Sequence, residues 1–268
     1  MGTTFTAADV AAFEHATWSR CAPGYEDGFA VLTRGAVDPL LDASGVTGGT
    51  QVLDLGTGTG VAAAAILERG ASVIGIDFSE AMIAEARRRL PEVDFRVASA
   101  EELPFDDGSF DAVVANGVLH HLAEPDRALE EAYRVLNRDG HIACTVWAEP
   151  ETLEAFGMFF AAVEEHAGGA ELPHGPLFGV TDSEALSSLF VSAGFSDVSI
   201  ERVPTTWRMG SVDVLLRAFG TWAQLDGFPK DIRSAIEVSV RSSAGAYQTG
   251  DGLEIPNPML LITATKAA

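Results

Sequence analysis

The segment "VLDLGTGTG", residues 52–60, determines how the rest of the chain is interpreted. An apolar run, typical of a buried parallel strand, leads directly into glycines at alternate positions. Glycine permits tight dihedral angles and a close approach of the main chain to a ligand, and the N-terminus of a following helix offers free N–H groups. The pattern therefore predicts a ligand site in the turn between a strand and a helix.

Strand and helix patterns alternate around this segment. Continuous apolar strands separated by helices predict a doubly wound, mostly parallel α/β sheet of the Rossmann-like kind, with helices on both faces. Ligands of such sheets bind beyond the carboxyl ends of the strands, where the glycines lie. The predicted strands are 50–55, 71–76, 93–99, 110–116 and 140–147, and the predicted helices are 61–70, 79–90 and 125–136.

The flanking regions are interpreted as parts of one domain, residues 1–268. Residues 1–45 contain two helical patterns and are expected to form an N-terminal lid, while residues 50–147 form the core. Residues 151–268 are interpreted as a helical cap inserted after the fifth strand, together with the closing strands of the sheet. The elements predicted there are helices 151–168, 182–193, 211–224 and 230–244 and strands 196–203 and 257–266.

Composition limits the partners. A formal net charge of −22 repels the backbone of nucleic acids, and the densest basic cluster, residues 87–89, is interpreted as an exposed helix end. Cys21 and Cys144 form no CxxC motif, so we expect no metal site, no disulfide and a cytoplasmic location. The chain has no run of about 18 apolar residues, so we expect no membrane span. The N-terminal residues show no secretory signal pattern.

The turn differs from the glycine motifs of phosphate-binding sites. In a dinucleotide fingerprint that starts at Gly56, the third glycine would fall on Val61, and the lysine of a P-loop is absent. Asp54 would repel a pyrophosphate but suits a positively charged ligand without phosphate, such as S-adenosyl-L-methionine (SAM). Asp77 ends the next strand, where a carboxylate can accept both ribose hydroxyls, and Phe78 can pack on the adenine.

Four stretches between about residues 50 and 147 carry a family resemblance: "VLDLGTGTG", "GIDFSEAMIAEAR", "ASAEELPFDDGSFDAVVANGVLHHL" and "EEAYRVLNRDGHIACTVW". They resemble the class I SAM-dependent methyltransferases, above all the branch of the ubiquinone/menaquinone C-methyltransferases. The resemblance implies a seven-stranded sheet whose last strand is antiparallel. It also implies SAM as the cofactor and a small-molecule methyl acceptor as the substrate.

The resemblance implies which residues hold the cofactor. The turn glycines approach the methionine part of SAM, and Tyr25 matches a lid tyrosine that reaches its carboxylate. Ser99 stands where the family usually has an acid, so we expect a weaker hydrogen bond to the adenine amino group. Asn116 fits a position that faces both cofactor and substrate. The full predicted set is Tyr25, Asp54, Gly56, Thr57, Gly58, Gly60, Asp77, Phe78, Met82, Ser99, Ala100, Glu101, Asn116 and His121.

His120 and His121, in "GVLHHL", are the candidate catalytic residues, as a base or as positioning groups. A base is needed only if the acceptor must lose a proton, and histidine titrates near neutral pH. The alternative for both is local packing or contact with the cofactor. His15, on the lid, is a further candidate, whereas His166 and His174 are expected to be solvated.

The methylated atom, O, C or N, stays open at this stage, as does a homodimer. A SAM-binding protein that catalyses a rearrangement without methyl transfer, or that serves as a binding module, is the main alternative. A nucleic-acid methyltransferase is disfavoured by the charge and by the lack of an (N/D)PP(Y/F) motif. A NAD-dependent oxidoreductase is disfavoured by Val61 and Asp54.

Overall fold

The computed structural model describes residues 5–169 and 173–267. Its strands are β1 (Gln51–Leu55), β2 (Ser72–Asp77), β3 (Asp94–Val97), β4 (Phe110–Asn116), β5 (Leu136–Trp147), β6 (Ser196–Val203), β7 (Thr206–Met209), β8 (Gln248–Thr249), β9 (Gly252–Pro256) and β10 (Met259–Thr265). Its α-helices are α1 (Ala7–Cys21), α2 (Phe29–Thr33), α3 (Val37–Ala43), α4 (Val61–Glu68), α5 (Glu80–Arg89), α6 (Pro125–Val135), α7 (Glu154–Ala167), α8 (Ser183–Ser192), α9 (Val212–Trp222) and α10 (Lys230–Ala244).

The main sheet has seven strands in the order β3-β2-β1-β4-β5-β10-β6. Strand β1 pairs in parallel with both β2 and β4, so that Leu53 lies opposite Ile74 and Val113. The last strand, β10, is antiparallel to β5 and to β6. This confirms the predicted doubly wound, mostly parallel seven-stranded sheet. The strand order reverses between β1 and β4, and a crevice opens at their carboxyl ends.

Local sequence explains where the helices beside this crevice begin. Ser79 caps α5, because its side chain accepts a hydrogen bond from Met82 N. Pro125 opens α6 at a position where a helix needs no N–H donor. On α1, Thr6 and Asp9 form a reciprocal capping box. These caps fix the residues at which the helices begin.

The sheet is covered on both faces, as continuous apolar strands require. One face packs against α3, α4 and α5, and its core includes Leu40, Ile66 and Ile83. The other face packs against α6 and α8, and its core includes Leu129 and Phe190. Burying a side chain of this size contributes about 1.5–3 kcal/mol, so both helical layers are held firmly on the sheet.

The region after β5 differs from the predicted helical cap. Strands β7, β9 and β8 form a second, three-stranded antiparallel sheet, in which Trp207 pairs with Ile255. This sheet packs with α7, α9 and α10 around a third core that includes Phe159 and Phe219. Short strands in a Gly- and Pro-rich segment carry little periodic signal, which is why the sequence did not predict them. No helix in the described part of the chain is both long and apolar enough to span a bilayer.

Candidate active site

The glycine turn after β1 adopts backbone angles that only glycine takes readily. Gly56, Gly58 and Gly60 have φ values of 61°, 55° and 85°, which cost other residues about 1–2 kcal/mol each. A Cβ at Gly56 would lie 2.6 Å from Val118 Cγ2. The turn is therefore defined both by backbone conformation and by the close approach of the segment after β4.

Asp54 and Thr57 hold this turn from beneath. Thr57 Oγ1 donates to Asp54 Oδ2 at 2.6 Å, and Thr57 N donates to Ile76 O at 2.8 Å. Asp54 is 1 % exposed, and burial raises its pKa to about 7, against the opposing effect of the Thr57 hydrogen bond. The structure thus gives Asp54 a role in ordering the turn rather than in facing a ligand.

Asp77 links the ends of β1 and β2. Its Oδ2 accepts from Gly58 N at 2.9 Å and its Oδ1 from Ser79 N at 2.8 Å. Burial raises the pKa of Asp77 to about 6, although both backbone hydrogen bonds favour the ionised form. A carboxylate has about four lone-pair sites, so two backbone donors leave acceptor capacity on the side that faces the crevice.

A cavity of about 330 Å³ lies over the carboxyl ends of β1, β2 and β4, beneath α1. This volume falls within the range of small-molecule sites. Its wall includes His15, the further candidate from the sequence, and also Ala11, Trp18, Val118 and Leu122. The predicted residues that line it are Tyr25, Gly56, Gly58, Asp77, Phe78, Met82, Ser99, Ala100, Glu101, Asn116 and His121.

Four predicted residues, Asp54, Thr57, Gly60 and His120, lie behind the described wall of this cavity. Gly60 caps α4, and a Cβ there would meet Phe95 Cζ at 3.2 Å. His120 is 2 % exposed, and neither of its ring nitrogens has a hydrogen-bond partner among the described residues. Burial lowers its pKa well below the usual 6.5, so the ring is neutral at physiological pH.

The polar residues at the two sides of the cavity also hold the surrounding loops. The Asn116 amide donates to Thr33 O at 3.0 Å and accepts from Thr145 Oγ1 at 2.7 Å, which ties β4 to the lid. Ser99 Oγ accepts from Glu101 N at 3.1 Å. Glu101 Oε1 accepts from Glu124 N at 2.8 Å, next to the start of α6. These hydrogen bonds hold the side chains in place around the cavity.

A cluster of partly buried side chains, Glu26, Thr59 and Arg89, joins the N-terminal residues to the glycine turn. One guanidinium nitrogen of Arg89 donates to Glu26 Oε1 at 2.7 Å and to Thr59 O at 2.6 Å, and the Thr59 hydroxyl also donates to Glu26. The expectation of an exposed helix end holds for Arg87 and Arg88 but is wrong for Arg89, whose side chain is only 23 % exposed. Its partner is distant in sequence, and no local pattern indicates it.

Glu14 is a site residue that the sequence analysis missed. It is 5 % exposed on α1, accepts from Trp18 Nε1 at 2.8 Å, and approaches His121 Nδ1 at 3.2 Å. The only available signal was an acid one helical turn before a tryptophan in an otherwise apolar stretch. That spacing indicates a contact within the helix, but it does not indicate the contact between Glu14 and His121.

Comparison with known proteins agrees with this architecture. A family model described as "Methyltransferase domain" matches residues 53–144. The solved [4+2]-cyclase SpnF superposes with a TM-score of 0.57 at 23 % identity, covering 88 % of this chain and 81 % of that one. A likeness at this identity shows the shared fold alone.

Two curated relatives are closer in sequence. The demethylmenaquinone methyltransferase of Clavibacter sepedonicus is 35 % identical over 182 residues, which cover 63 % of this chain and 71 % of the relative. The ubiquinone/menaquinone biosynthesis C-methyltransferase of Citrifermentans bemidjiense is 33 % identical over 174 residues, covering 58 % and 74 % respectively. With the glycine turn, Asp77 and the sheet order, these matches show that the chain belongs to the class I SAM-dependent methyltransferases.

Proposed function

We propose that the chain binds SAM in the cavity over the glycine turn and transfers its methyl group to a phenol or a reduced quinone. The observation that carries this proposal is the carboxylate of Asp77. Two backbone N–H groups orient it, and it keeps acceptor capacity toward the cavity. A pair of neighbouring ribose hydroxyls fits such a group, as in other folds with an acid at the end of the second strand.

The remaining wall fits the other parts of SAM. Phe78 and Met82 offer apolar surface for the adenine, and Ser99 offers a hydroxyl for its edge. The tight turn at Gly58 lets the main chain approach the methionine part, with Tyr25 above it. When bound, SAM supplies a methyl group on a sulfonium, which is activated for in-line displacement.

The electrostatics of the site favour a cationic ligand. Asp54 and Asp77 are both buried close to the turn, and burial raises the pKa of each carboxyl group, while the charge of Asp77 raises the pKa of Asp54 further. A positive charge at the cavity stabilises the ionised forms of both. A pyrophosphate would add further repulsion, which supports SAM over a dinucleotide.

An acceptor with an aromatic ring fits the other side of the cavity. Apolar side chains from the lid and from the segment after β4, including Ala11, Trp18, Val118 and Leu122, form that wall. The names of the two curated relatives support a quinone-type acceptor. We extend the proposal to residues 1–268 as one methyltransferase domain, with residues 1–45 as the lid, and to a cytoplasmic location, which suits two buried free cysteines.

The test is product analysis with three classes of acceptor: a demethylated hydroquinone, simple phenols and small amines. We expect S-adenosylhomocysteine and a methylated product with a phenolic acceptor, and a strong loss of both in Asp77→Ala. Asp94→Ala, at the other end of the sheet, is the matched control and should retain activity. A conversion without release of S-adenosylhomocysteine would support the rearrangement alternative, and no conversion of any acceptor would contradict the proposal.

A further inference from the structure

Glu14 on α1 lies behind the cavity wall and contacts His121, which follows β4 and lines that wall. His121 Nδ1 lies 3.2 Å from the Glu14 carboxylate, which also accepts from Trp18 Nε1 at 2.8 Å. The Glu14 and His121 side chains are 7 % and 14 % exposed. Because a carboxylate can only accept, a hydrogen bond between the two requires the hydrogen on Nδ1, and in the neutral ring this tautomer leaves the lone pair on Nε2.

Nε2 of His121 has no hydrogen-bond partner among the described residues and is not among the buried atoms that lack one. The residue itself lines the cavity wall. Both ring nitrogens of His120, in contrast, are sealed from solvent. The His121 ring is further fixed by edge contact with Trp18 at 4.9 Å between ring centroids. An oriented imidazole with its basic nitrogen facing a ligand cavity has the geometry of a general base.

We infer that His121 is the general base that takes the proton from a phenolic hydroxyl of the methyl acceptor, with Glu14 as its positioning residue. This inference rests on the proposed function. The hydroxyl proton passes to His121 Nε2, so that the electron pair of the broken O–H bond is available to the acceptor. The acceptor oxygen or a ring carbon forms a bond to the methyl carbon as the C–S bond breaks, the electrons of that bond stay on sulfur, and S-adenosylhomocysteine leaves. When the bond forms at a ring carbon, the hydrogen of that carbon then leaves as a proton and the oxygen regains one. The imidazolium then releases its proton to solvent.

Other titratable groups around His121 are occupied or less well placed. Asp77 is held by two backbone donors, and Glu101 accepts from Glu124 N. His120 is neutral and lies behind the wall. His15 lines the cavity beside Phe78, at 5.6 Å between ring centroids, and no carboxylate orients its ring among the described residues. The pair formed by Glu14 and His121 is the arrangement in which a base and its orienting acid are both in place.

The kinetic test compares His121→Gln and Glu14→Gln with the control His141→Gln, which lies at the opposite end of the sheet. We expect His121→Gln to lower kcat by about 10²–10⁴-fold, the usual contribution of a general base. Glu14→Gln should lower kcat less and should move the acid limb of the kcat/KM profile to lower pH, because the amide no longer stabilises the imidazolium. A role for the pair only in lid closure would raise KM and leave the limb in place.

A second test does not depend on turnover. In protein labelled with ¹⁵N-histidine, two-bond ¹H–¹⁵N spectra report which ring nitrogen carries the hydrogen, and the His121→Gln spectrum assigns the signal. We expect the Nδ1–H tautomer for His121 and a mixture of tautomers in Glu14→Gln. An Nε2–H tautomer, or full kcat in His121→Gln, would overturn the inference. Failure of SAM to bind the wild-type protein would instead contradict the proposed function.

Discussion

At the scale of single residues, the oxygen atoms of the Asp77 carboxylate make one observed set of hydrogen bonds and one proposed set. It accepts from the backbone of Gly58 and Ser79, and we propose that it also accepts from the ribose. The sequence indicated the second task, since an acid at the end of the second strand is a local signal. It could not indicate the first, nor the meeting of Glu14 with His121, because those contacts depend on which chain segments approach in space.

The pH dependence of SAM binding follows from this carboxylate. Its pKa is raised to about 6 in the free protein, so the fraction ionised falls as the pH falls through that value. If the ionised form binds, SAM affinity at pH 5 should be about tenfold weaker than at pH 8. Calorimetric titration at both pH values measures this. Asp77→Asn should bind weakly with little dependence on pH, and a wild-type affinity that is equal at both values would contradict the assignment.

His120 makes a separate prediction about stability. Its folded-state pKa lies well below 6.5, so the unfolded chain binds more protons below that pH, and the free energy of unfolding falls as the pH falls. His120→Leu removes this dependence. The variant should gain up to about 1.4 kcal/mol relative to the wild type when the pH is lowered from 7.5 to 5.5. Urea unfolding of both proteins measures the change, and a difference that does not vary with pH would count against a neutral buried imidazole.

At the scale of elements, the glycine turn combines two constraints that variants can separate. Gly56 has φ 61° and no room for a Cβ beside Val118, whereas Gly49 has φ 90° and no heavy atom within 4 Å of a Cβ. Gly49→Ala should therefore lose only about 1–2 kcal/mol of stability from backbone strain and should still bind SAM. Gly56→Ala should lose more, by about 1–3 kcal/mol of overpacking, and should bind SAM poorly. Equal thermal stability and SAM affinity in the two variants would show that crowding at Val118 is unimportant.

The contact that Glu26, Thr59 and Arg89 make between the N-terminal residues and the glycine turn is tested by Arg89→Gln. Arg89 contacts Glu26 and Thr59, and losing it should speed hydrogen exchange in the lid around Glu26 while exchange in β4 stays unchanged. Arg88→Gln is the matched control, because the Arg88 side chain is 69 % exposed and pairs with Glu85 on its own helix. If hydrogen exchange around Glu26 is the same in both variants, Arg89 does not stabilise the contact between the N-terminal residues and the turn.

Elements differ in how far the sequence predicted them. Strands β4 and β6 have the predicted bounds, 110–116 and 196–203, because each has a strong local pattern. The second sheet was missed, since its strands are short and are stabilised by pairing between segments far apart in the chain, such as Trp207 with Ile255. Glycine and proline in 250–258 also match a loop as well as a strand.

At the scale of the whole molecule, the residues around the cavity come from two parts of the chain, the N-terminal residues and the core. The family model matches residues 53–144, which contain the glycine turn, Asp77 and His121. The lid, with Glu14 and Trp18, lies outside that match and still contributes to the cavity wall or its support. We therefore expect acceptor preference to follow the lid and the region after β5, while SAM binding follows the matched core.

The most direct test of the central claim is calorimetric titration of the wild-type protein and of Asp77→Ala with SAM, S-adenosylhomocysteine and NADH. The account predicts micromolar binding of both sulfur ligands to the wild type and no binding of NADH. It also predicts an affinity for SAM reduced at least about tenfold in Asp77→Ala, since the hydrogen bonds of a buried carboxylate are lost. Absence of binding by either sulfur ligand, or an unchanged SAM affinity in Asp77→Ala, would contradict the assignment of the cavity as the cofactor site.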